Sequence, residues 1–232
     1  MIGLDRTGDV VRLTLDRPAQ RNALATAHWH QLAKTIAGVP VDAAVVLLRS
    51  SSAGIFSAGA DLAELAGLAD APPARTAFRQ AMRAGIEALA ALTMPVVAWI
   101  DGGCFGAGVA LALAADLRIA SEAARFAIPP ARLGIAYPAE DVARLTARVG
   151  AGAAARLLFT GNTIEAAEAL RIGLVDAVGD GAAEATAIAG NDAAALATLK
   201  AMLRDPAAPG HAQAFEDSFA SARFRAATAR WR

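Results

Sequence analysis

Two short turns of small residues are the features of this sequence that could do chemistry. The first lies in F-S-A-G-A-D, residues 56–61, and the second in F-G-A-G-V, residues 105–109. Each turn stands between an apolar strand-like run and a helix-like run. Unpaired N–H groups at a helix start can hold an anionic oxygen, and an oxyanion needs two such donors. The pair therefore predicts an oxyanion site, whereas close packing through small residues is the alternative for each turn alone.

The second turn does not match the glycine-rich loops that bind nucleotides. Leu111 stands where a dinucleotide-binding turn would need its third glycine after Gly106 and Gly108. A Lys-Ser/Thr pair, which a Walker loop requires, does not follow either. These mismatches favour an oxyanion-binding turn over a phosphate-binding one.

The other reactive side chains lack the partners that catalysis or metal binding would require. His28 and His30 point apart on a predicted helix and have no acidic or cysteine neighbour, so we expect no bound metal. The serines at 50–52 lack a G-x-S-x-G setting, so a hydrolase nucleophile is not predicted. Cys104, the single cysteine, has no nearby base and is expected to be a buried thiol.

The composition favours one globular domain, or one domain with a small appendage. Of the 232 residues 56% are apolar, and 22 acidic residues balance 22 basic ones. A balanced charge gives no field to attract nucleic acid or anionic lipid, so we expect neither as a partner. We see no secretory signal, and the apolar stretch 102–115 is too short to span a membrane. With one cysteine, these features predict a cytoplasmic protein.

Strands are predicted to alternate with helices up to about residue 120, and helices alone to follow. Alternating apolar residues predict a strand over 10–15, and continuous apolar runs predict buried strands from 43 or 44 to 49 and over 96–100. A short strand is predicted over 117–120. Asp61 is expected to cap a helix. Further helices are predicted over 22–38, 75–92 after a proline break at 71–74, 106–115, 139–149, 151–158, 164–171, 193–203 and 212–228. The pattern indicates a layered α/β body with a helical C-terminal segment.

Five stretches together resemble the crotonase superfamily, also called the enoyl-CoA hydratase/isomerase family. They are R-P-A-Q-R-N-A-L at 17–24, I-F-S-A-G-A-D-L-A-E-L at 55–65, the segment 95–121 that contains the second turn, F-A-I-P-P-A-R-L-G-I at 126–135, and the segment 157–176. The resemblance extends in order over about residues 2–178. It implies an α/β fold of spirally repeated ββα units, with residues 1–178 as the core and 179–232 as a C-terminal helical segment that builds homotrimers, often paired into hexamers.

The resemblance also implies the ligand, an acyl-CoA of the kind used in fatty acid metabolism, with no cofactor beyond the coenzyme A of the substrate. The amides of Ala60 and Ala107 would hold the thioester oxygen, although the family usually has glycine at the second position. Leu65, Leu68, Ala63 and the helix after Arg75 would shape the acyl pocket. Coenzyme A would lie along six residues, with Arg21 as the phosphate partner: Arg21, Asn22, Ala23, Ala58, Asp61 and Leu62.

The glutamates that hydratases of this family use are absent from the corresponding positions. Ala110 stands in place of the first and Pro130 in place of the second. Neither residue can transfer a proton, so the sequence predicts that the usual syn-addition of water is not available.

Tyr137, Glu140 and Asp141 are the candidate proton donors and acceptors that remain. Decarboxylases similar to methylmalonyl-CoA decarboxylase have a tyrosine at the point where Tyr137 stands. Loss of CO₂ needs no strong base, because it leaves a thioester enolate that an oxyanion hole stabilises. Tyr137 as a packing residue, and Glu140 and Asp141 as solvated or helix-capping residues, are the alternatives.

Three functional hypotheses follow. The first is an acyl-CoA lyase or isomerase, such as a decarboxylase, that stabilises an enolate without the glutamate pair. The second is a non-catalytic acyl-CoA-binding or regulatory protein, which the loss of both glutamates suggests. The third is an enoyl-CoA hydratase whose base has moved elsewhere.

Overall fold

The computed structural model describes residues 1–231, and within them ten strands form two sheets. Arg232, the last residue of the predicted C-terminal segment, lies outside the described residues. The strands are β1 (Ile2–Thr7), β2 (Val10–Leu15), β3 (Val45–Ser50), β4 (Ile55–Ser57), β5 (Val96–Ile100), β6 (Gly103–Phe105), β7 (Leu117–Ala120), β8 (Arg125–Ala127), β9 (Ile164–Glu165) and β10 (Ala177–Val178).

The larger sheet has six strands in the order β1-β2-β3-β5-β7-β10. Only the β1–β2 pair is antiparallel, and the other neighbours run parallel. Residues 45–48 of β3 are all buried, which explains the continuous apolar run there, because a central parallel strand is covered on both faces.

The smaller sheet has four strands in the order β4-β6-β8-β9. β4, β6 and β8 run parallel, whereas β8 and β9 are antiparallel. The strands β4 and β6 lead directly into the two turns of small residues. The small sheet therefore brings together two turns that are about 45 residues apart in the sequence.

Ten α-helices surround the sheets within the described residues. They are α1 (Thr26–Ile36), α2 (Leu62–Gly67), α3 (Pro72–Ala90), α4 (Ala107–Ala112), α5 (Ala139–Thr160), α6 (Ala166–Arg171), α7 (Gly181–Ala189), α8 (Ala193–Arg204), α9 (His211–Ser218) and α10 (Ala222–Thr228).

The main core lies between the large sheet, the small sheet and helices α1, α3 and α4. Trp29 of α1 and Leu89 of α3 are among its fully buried side chains. On the opposite face of the large sheet, α7 covers a second apolar cluster that includes Val45, Val97 and Ala185. The predicted helical segment thus begins with a helix that packs on the large sheet.

A buried lysine connects α8 to the starts of β5 and β7 in the large sheet. The Lys200 ammonium donates to the carbonyl of Met94 at 2.7 Å and forms an ion pair with Asp116. The Asp116 carboxylate also accepts from the amide of Val96 at 2.7 Å. Burial lowers the pKa of this lysine, which is only 5% exposed, and the hydrogen bond with the Asp116 carboxylate opposes that change.

The structure confirms a mixed α/β fold and corrects several predicted elements. The predicted break at 71–74 is wrong, because Pro72 and Pro73 begin α3. Proline fits the first turn of a helix, since the N–H groups there have no partner within the helix. The helix predicted over 212–228 is two helices, because Ser221 caps α10 through the Phe224 amide. Strands β8, β9 and β10 follow residue 120, where helices alone were predicted. In the described residues, no helix is both long and apolar enough to cross a membrane.

Candidate functional site

The two turns of small residues are in direct contact. Strands β4 and β6 are neighbours, with Ile55 paired to Gly103. A Cβ added to Gly59, which has φ of 92°, would lie 2.5 Å from the Phe105 carbonyl oxygen and 3.1 Å from the Ala107 nitrogen. Only glycine fits such an approach, because an L side chain rarely adopts this φ and its Cβ would overlap the facing backbone.

The amides of Ala60 and Ala107 are the two unpaired donors that these turns present. Within residues 1–231, neither N–H donates a hydrogen bond to a protein acceptor. Both residues line the same cavity. Ala107 is the first residue of α4, and Gly106 before it has φ of 49°. A bound ligand with one negatively polarised oxygen would give both donors a partner.

The chain near residue 24 holds the first turn. The Leu24 amide donates to the Gly59 carbonyl at 2.8 Å, and the Asp61 amide donates to the Leu24 carbonyl at 3.2 Å. These two bonds flank Ala60 and leave its N–H out of the ladder. As predicted, the Asp61 side chain then caps α2, where it accepts from the Ala63 amide at 3.0 Å.

Tyr137 holds the second turn. Its hydroxyl donates to the Gly106 carbonyl oxygen at 3.0 Å. That carbonyl and the Ala107 N–H belong to one peptide unit, so a bond on its oxygen fixes the orientation of its N–H. Hydrogen bonds in series also polarise one another, which makes the Ala107 N–H a stronger donor. Burial, together with the nearby Asp141 carboxylate, holds the Tyr137 pKa well above its usual range, so the phenol is a neutral donor.

The cavity between the turns is apolar, with a volume of about 240 Å³. Helix α3, the loop before α5 and both turns form its walls. Among its lining residues, only Tyr137 and Arg79 have side chains that can donate a hydrogen bond, and none has a carboxylate. The lining residues are Ala58, Ala60, Leu62, Leu65, Phe78, Arg79, Met82, Phe105, Gly106, Ala107, Pro129, Pro130, Leu133, Ile135, Ala136, Tyr137 and Pro138.

The two candidate acids after Tyr137 lie outside this lining. Asp141 is fully buried and pairs with Arg83 at 2.6 Å, while Arg144 lies 3.8 Å away. Burial raises the pKa of Asp141, and the hydrogen bond from Arg83 opposes that rise. Glu140 is exposed on the first turn of α5. Catalytic roles for both residues stay predictions.

The six residues expected along coenzyme A are not in equivalent surroundings. Ala58 and Leu62 line the cavity, and Leu62 is 63% exposed. Arg21 is exposed and has φ of 52°. The buried Asn22 side chain is already occupied, because it accepts from the Arg17 amide and donates to Ser50 and to the Phe56 carbonyl.

The remaining two of these six residues also surround the first turn. Ala23 is half-buried, and its carbonyl accepts a hydrogen bond from the Arg17 guanidinium. Asp61 is half-buried and serves as the cap of α2. The structure therefore brings all six residues to the first turn, with Arg21 as the exposed cation.

The acyl-pocket predictions are only partly matched by the lining of the cavity. Leu65 and the helix after Arg75 contribute to it, whereas Ala63 and Leu68 do not. Phe105 lines the cavity without a signal in the sequence, since it follows the buried Cys104 in a strand of only three residues. A strand that short has no measurable periodicity, and so no pattern indicated the direction of its side chains.

Comparison with known proteins identifies the family of the chain. Residues 5–220 match the family model described as enoyl-CoA hydratase/isomerase. The chain belongs to the enoyl-CoA hydratase/isomerase family. It is 36% identical over 176 residues to 2,3-dehydroadipyl-CoA hydratase of Escherichia coli, covering 75% of this chain and 68% of that protein.

Further relatives of this family member support the same fold. It is 34% identical to human enoyl-CoA hydratase domain-containing protein 2, mitochondrial, over 72% of this chain and only 57% of that protein's length. The crystal structure of enoyl-CoA hydratase from Bacillus anthracis superposes with a TM-score of 0.87 at 32% identity, covering 98% of this chain and 95% of that one. The crotonase fold expected from the sequence is confirmed.

Two positions of this enoyl-CoA hydratase/isomerase family member bear on the predicted absence of the hydratase glutamates. Ala110 is buried within α4, and Pro130 lines the cavity. These are the positions where the resemblance places the hydratase glutamates. With no carboxylate in the lining, the cavity offers Tyr137 as its only hydroxyl.

Proposed function

We propose that this protein binds an acyl-CoA thioester and stabilises its enolate with the amides of Ala60 and Ala107. The observation that carries the proposal is the pair of unpaired N–H groups, supplied by touching turns, in one apolar cavity. Donors in an apolar site act on a developing oxyanion far more strongly than they would in water.

The proposed reaction is one that needs no carboxylate base. In a decarboxylation, the bond between the α-carbon and the carboxylate breaks, and its electron pair passes into the thioester as an enolate. CO₂ leaves, and the α-carbon then takes a proton. The oxyanion hole stabilises the charge on the thioester oxygen throughout.

Tyr137 has two roles in this proposal. Before CO₂ leaves, its hydroxyl orients and polarises the Gly106–Ala107 peptide. As the only hydroxyl in the cavity lining, it would then pass its proton to the α-carbon and regain one from solvent. The raised pKa keeps the phenol protonated at neutral pH, so it serves as a donor and not as a base.

Coenzyme A is proposed to extend from the cavity past Ala58 and Leu62 toward Arg21. The exposed Arg21 guanidinium would pair with a phosphate, and basic residues of a neighbouring subunit could add to it. The Asn22 side chain would act indirectly, because its hydrogen bonds already fix the loop that carries Arg21.

A homotrimer is the proposed assembly, alone or paired into a hexamer. Exposed apolar side chains are concentrated in the C-terminal helices, a pattern that marks association surfaces. They are Leu199, Leu203, Phe215, Phe219, Phe224 and Trp231. Light scattering after gel filtration tests this, and a monomer at micromolar concentration would contradict it. The cytoplasmic location likewise stays a prediction.

Turnover of a panel of thioesters tests the catalytic proposal. Malonyl-, methylmalonyl- and enoyl-CoA esters would be assayed for CO₂ release and for loss of the thioester. We expect release of CO₂ from a malonyl-type ester above the buffer rate. Hydration of crotonyl-CoA should be slower than that of glutamate-containing hydratases by roughly 10²- to 10⁴-fold, the usual contribution of a general acid–base group. If no ester reacts faster with the protein than in buffer alone, the catalytic proposal is wrong.

Binding without turnover is the second candidate function. The lack of any carboxylate in the lining favours it. Calorimetry would then show tight acyl-CoA binding in a protein that turns over no member of the panel. Measurable turnover that falls in the Tyr137→Phe variant would exclude it.

A further inference from the structure

One charged side chain lines the otherwise apolar cavity. Arg79 lies on α3 next to Phe78 and three residues before Met82, and all three line the cavity. The remaining lining residues, Tyr137 apart, are apolar or glycine. A cavity meant only for a hydrocarbon chain gains nothing from a guanidinium, since apolar contacts drive such binding.

Arg79 differs from the other two arginines on the same face of α3. Arg75, one turn earlier, donates to the carbonyls of Leu68 and Ala69. Arg83, one turn later, pairs with Asp141 and Glu87. In the part of the chain that the structure describes, no hydrogen-bond acceptor or carboxylate contacts Arg79. The middle member of the row is therefore unpaired, and it is the one that reaches the cavity.

The position of Arg79 relative to the oxyanion amides suggests which part of a ligand it would meet. Arg79 is exposed, so it lies where the cavity opens to solvent, and it is carried by a different wall from Ala60 and Ala107. No lining residue has a carboxylate that would repel an anion there. A guanidinium with free donors binds a carboxylate through two parallel hydrogen bonds.

We infer that Arg79 selects acyl-CoA esters whose acyl group ends in a second carboxylate. This inference rests on the proposed acyl-CoA function and names the substrate class of the same cavity. The amides of Ala60 and Ala107 hold the thioester oxygen, and Arg79 pairs with the far carboxylate of the acyl chain. The phosphates of coenzyme A are the other anions that could meet Arg79, and the test separates the two.

Calorimetry on the full chain compares matched pairs of ligands. Butyryl- and hexanoyl-CoA are neutral at the acyl end, whereas malonyl-, succinyl-, glutaryl- and adipyl-CoA carry a carboxylate at increasing distance. We expect the wild-type protein to bind at least one carboxylated ester more tightly than the neutral ester of similar length. In Arg79→Gln, the Kd of that ester should rise about tenfold or more, as expected for a lost charge-assisted hydrogen bond, and neutral esters should change by less than about twofold.

Two further variants separate specific from general effects. Arg79→Lys keeps the charge and loses the paired geometry, so it should retain part of the preference. Lys34→Gln removes one positive charge from an exposed site on α1 outside the cavity lining, and it should leave all ligands unchanged. An Arg79→Gln variant with a wild-type melting temperature would show that the loss does not come from unfolding.

Three results would overturn the inference alone, and a fourth would overturn the proposed function with it. An equal loss for coenzyme A, neutral esters and carboxylated esters in Arg79→Gln would assign Arg79 to a phosphate of coenzyme A. If the wild-type protein binds neutral esters more tightly than carboxylated ones, the cavity does not select an acyl group with a second carboxylate. If no ester binds the wild-type protein, including butyryl-CoA, the proposed function itself fails. If butyryl-CoA binds and the carboxylate preference is absent, only the inference fails.

Discussion

The two strand–turn–helix units of the site have the same order of elements but are held in different ways. No residue of α2 is buried, and the half-buried Asp61 caps the helix. All six residues of α4 are buried, and in that helix no side chain makes a cap hydrogen bond. The second turn is instead fixed from outside by Tyr137. One donor of the pair thus depends on local backbone bonds, and the other depends on the packed core and a distant side chain.

This difference implies that substitutions near the two donors will have different effects, although both donors hold the same ligand oxygen. Changes around Ala60 act through the surface helix α2, where the chain can relax. Substitutions around Ala107 act on the closely packed core. The chain there cannot relax without losing packing contacts. We therefore expect the largest effects where the two units touch and smaller ones where only one of them is altered.

Gly59→Ala should have the largest effect, because it breaks both units together. The added Cβ would lie 2.5 Å from the Phe105 carbonyl oxygen at a residue with φ of 92°. Strain and overlap should lower the free energy of unfolding by about 2 to 4 kcal/mol, as measured by urea denaturation. Gly67→Ala in α2 is the matched control, because a Cβ there meets nothing within 4 Å and should be neutral or stabilising. Equal stability of the two variants would mean that the turns do not touch.

Tyr137→Phe should weaken only the second donor. The ring is kept and the bond to the Gly106 carbonyl is lost, so turnover should fall roughly five- to tenfold, the effect of about 1 kcal/mol. The carbonyl stretch of a bound, isotope-labelled thioester should also shift toward its value in free solution, because the Ala107 N–H polarises it less. A merely structural role for Tyr137 would lower the melting temperature and leave the stretch unchanged.

Asp61→Ala should weaken only the first unit. Loss of the cap that accepts from Ala63 at 3.0 Å should lower the free energy of unfolding by about 1 kcal/mol. Asp61→Asn keeps an acceptor oxygen, so it should retain most of that stability. We expect a smaller effect on the bound thioester stretch than in Tyr137→Phe, and the reverse order would contradict the comparison.

The smallest expected effect is the contribution of Asp141, near the second unit, to the pH dependence of the free energy of unfolding. Burial raises the pKa of this carboxyl, so the folded protein keeps its proton to higher pH than the unfolded chain does. Its contribution is therefore full below the unfolded pKa of about 3.8 and is lost as the pH rises through the raised folded pKa. Asp141→Asn should lose less stability than the wild type over that range, whereas Asp70→Asn, at an exposed site, should follow the wild type.

The sequence predicted the units of the site better than the contacts that hold them. The family resemblance and the small residues before each helix start predicted both turns and their free amides. The structure adds why two of these residues are glycine, because a Cβ at Gly59 or Gly108 would meet the facing strand. The bond from Tyr137 to Gly106 joins residues 31 apart, and the pair of Arg83 with Asp141 joins residues 58 apart. No local pattern encodes such partners, since they depend on how the strands and helices pack.

The short strands and the helix boundaries were missed for local reasons. Strands β4, β6 and β8 have three residues each, which is too few to show a period of two. Pro72 and Pro73 are typical of a break between elements, although proline is equally suited to a first helical turn. In both cases the same residues fit two structures, and tertiary contacts choose between them.

The buried Lys200 sets an order of events during synthesis of the chain. Asp116 and the Met94 carbonyl leave the ribosome before Lys200, which follows Asp116 by 84 residues. At about 5 to 20 residues per second, that interval is roughly 4 to 17 s. For several seconds the segments that form β5 and β7 therefore have an acidic group beside them without its cation. The ion pair of Asp116 with Lys200 can form only when α8 has been made.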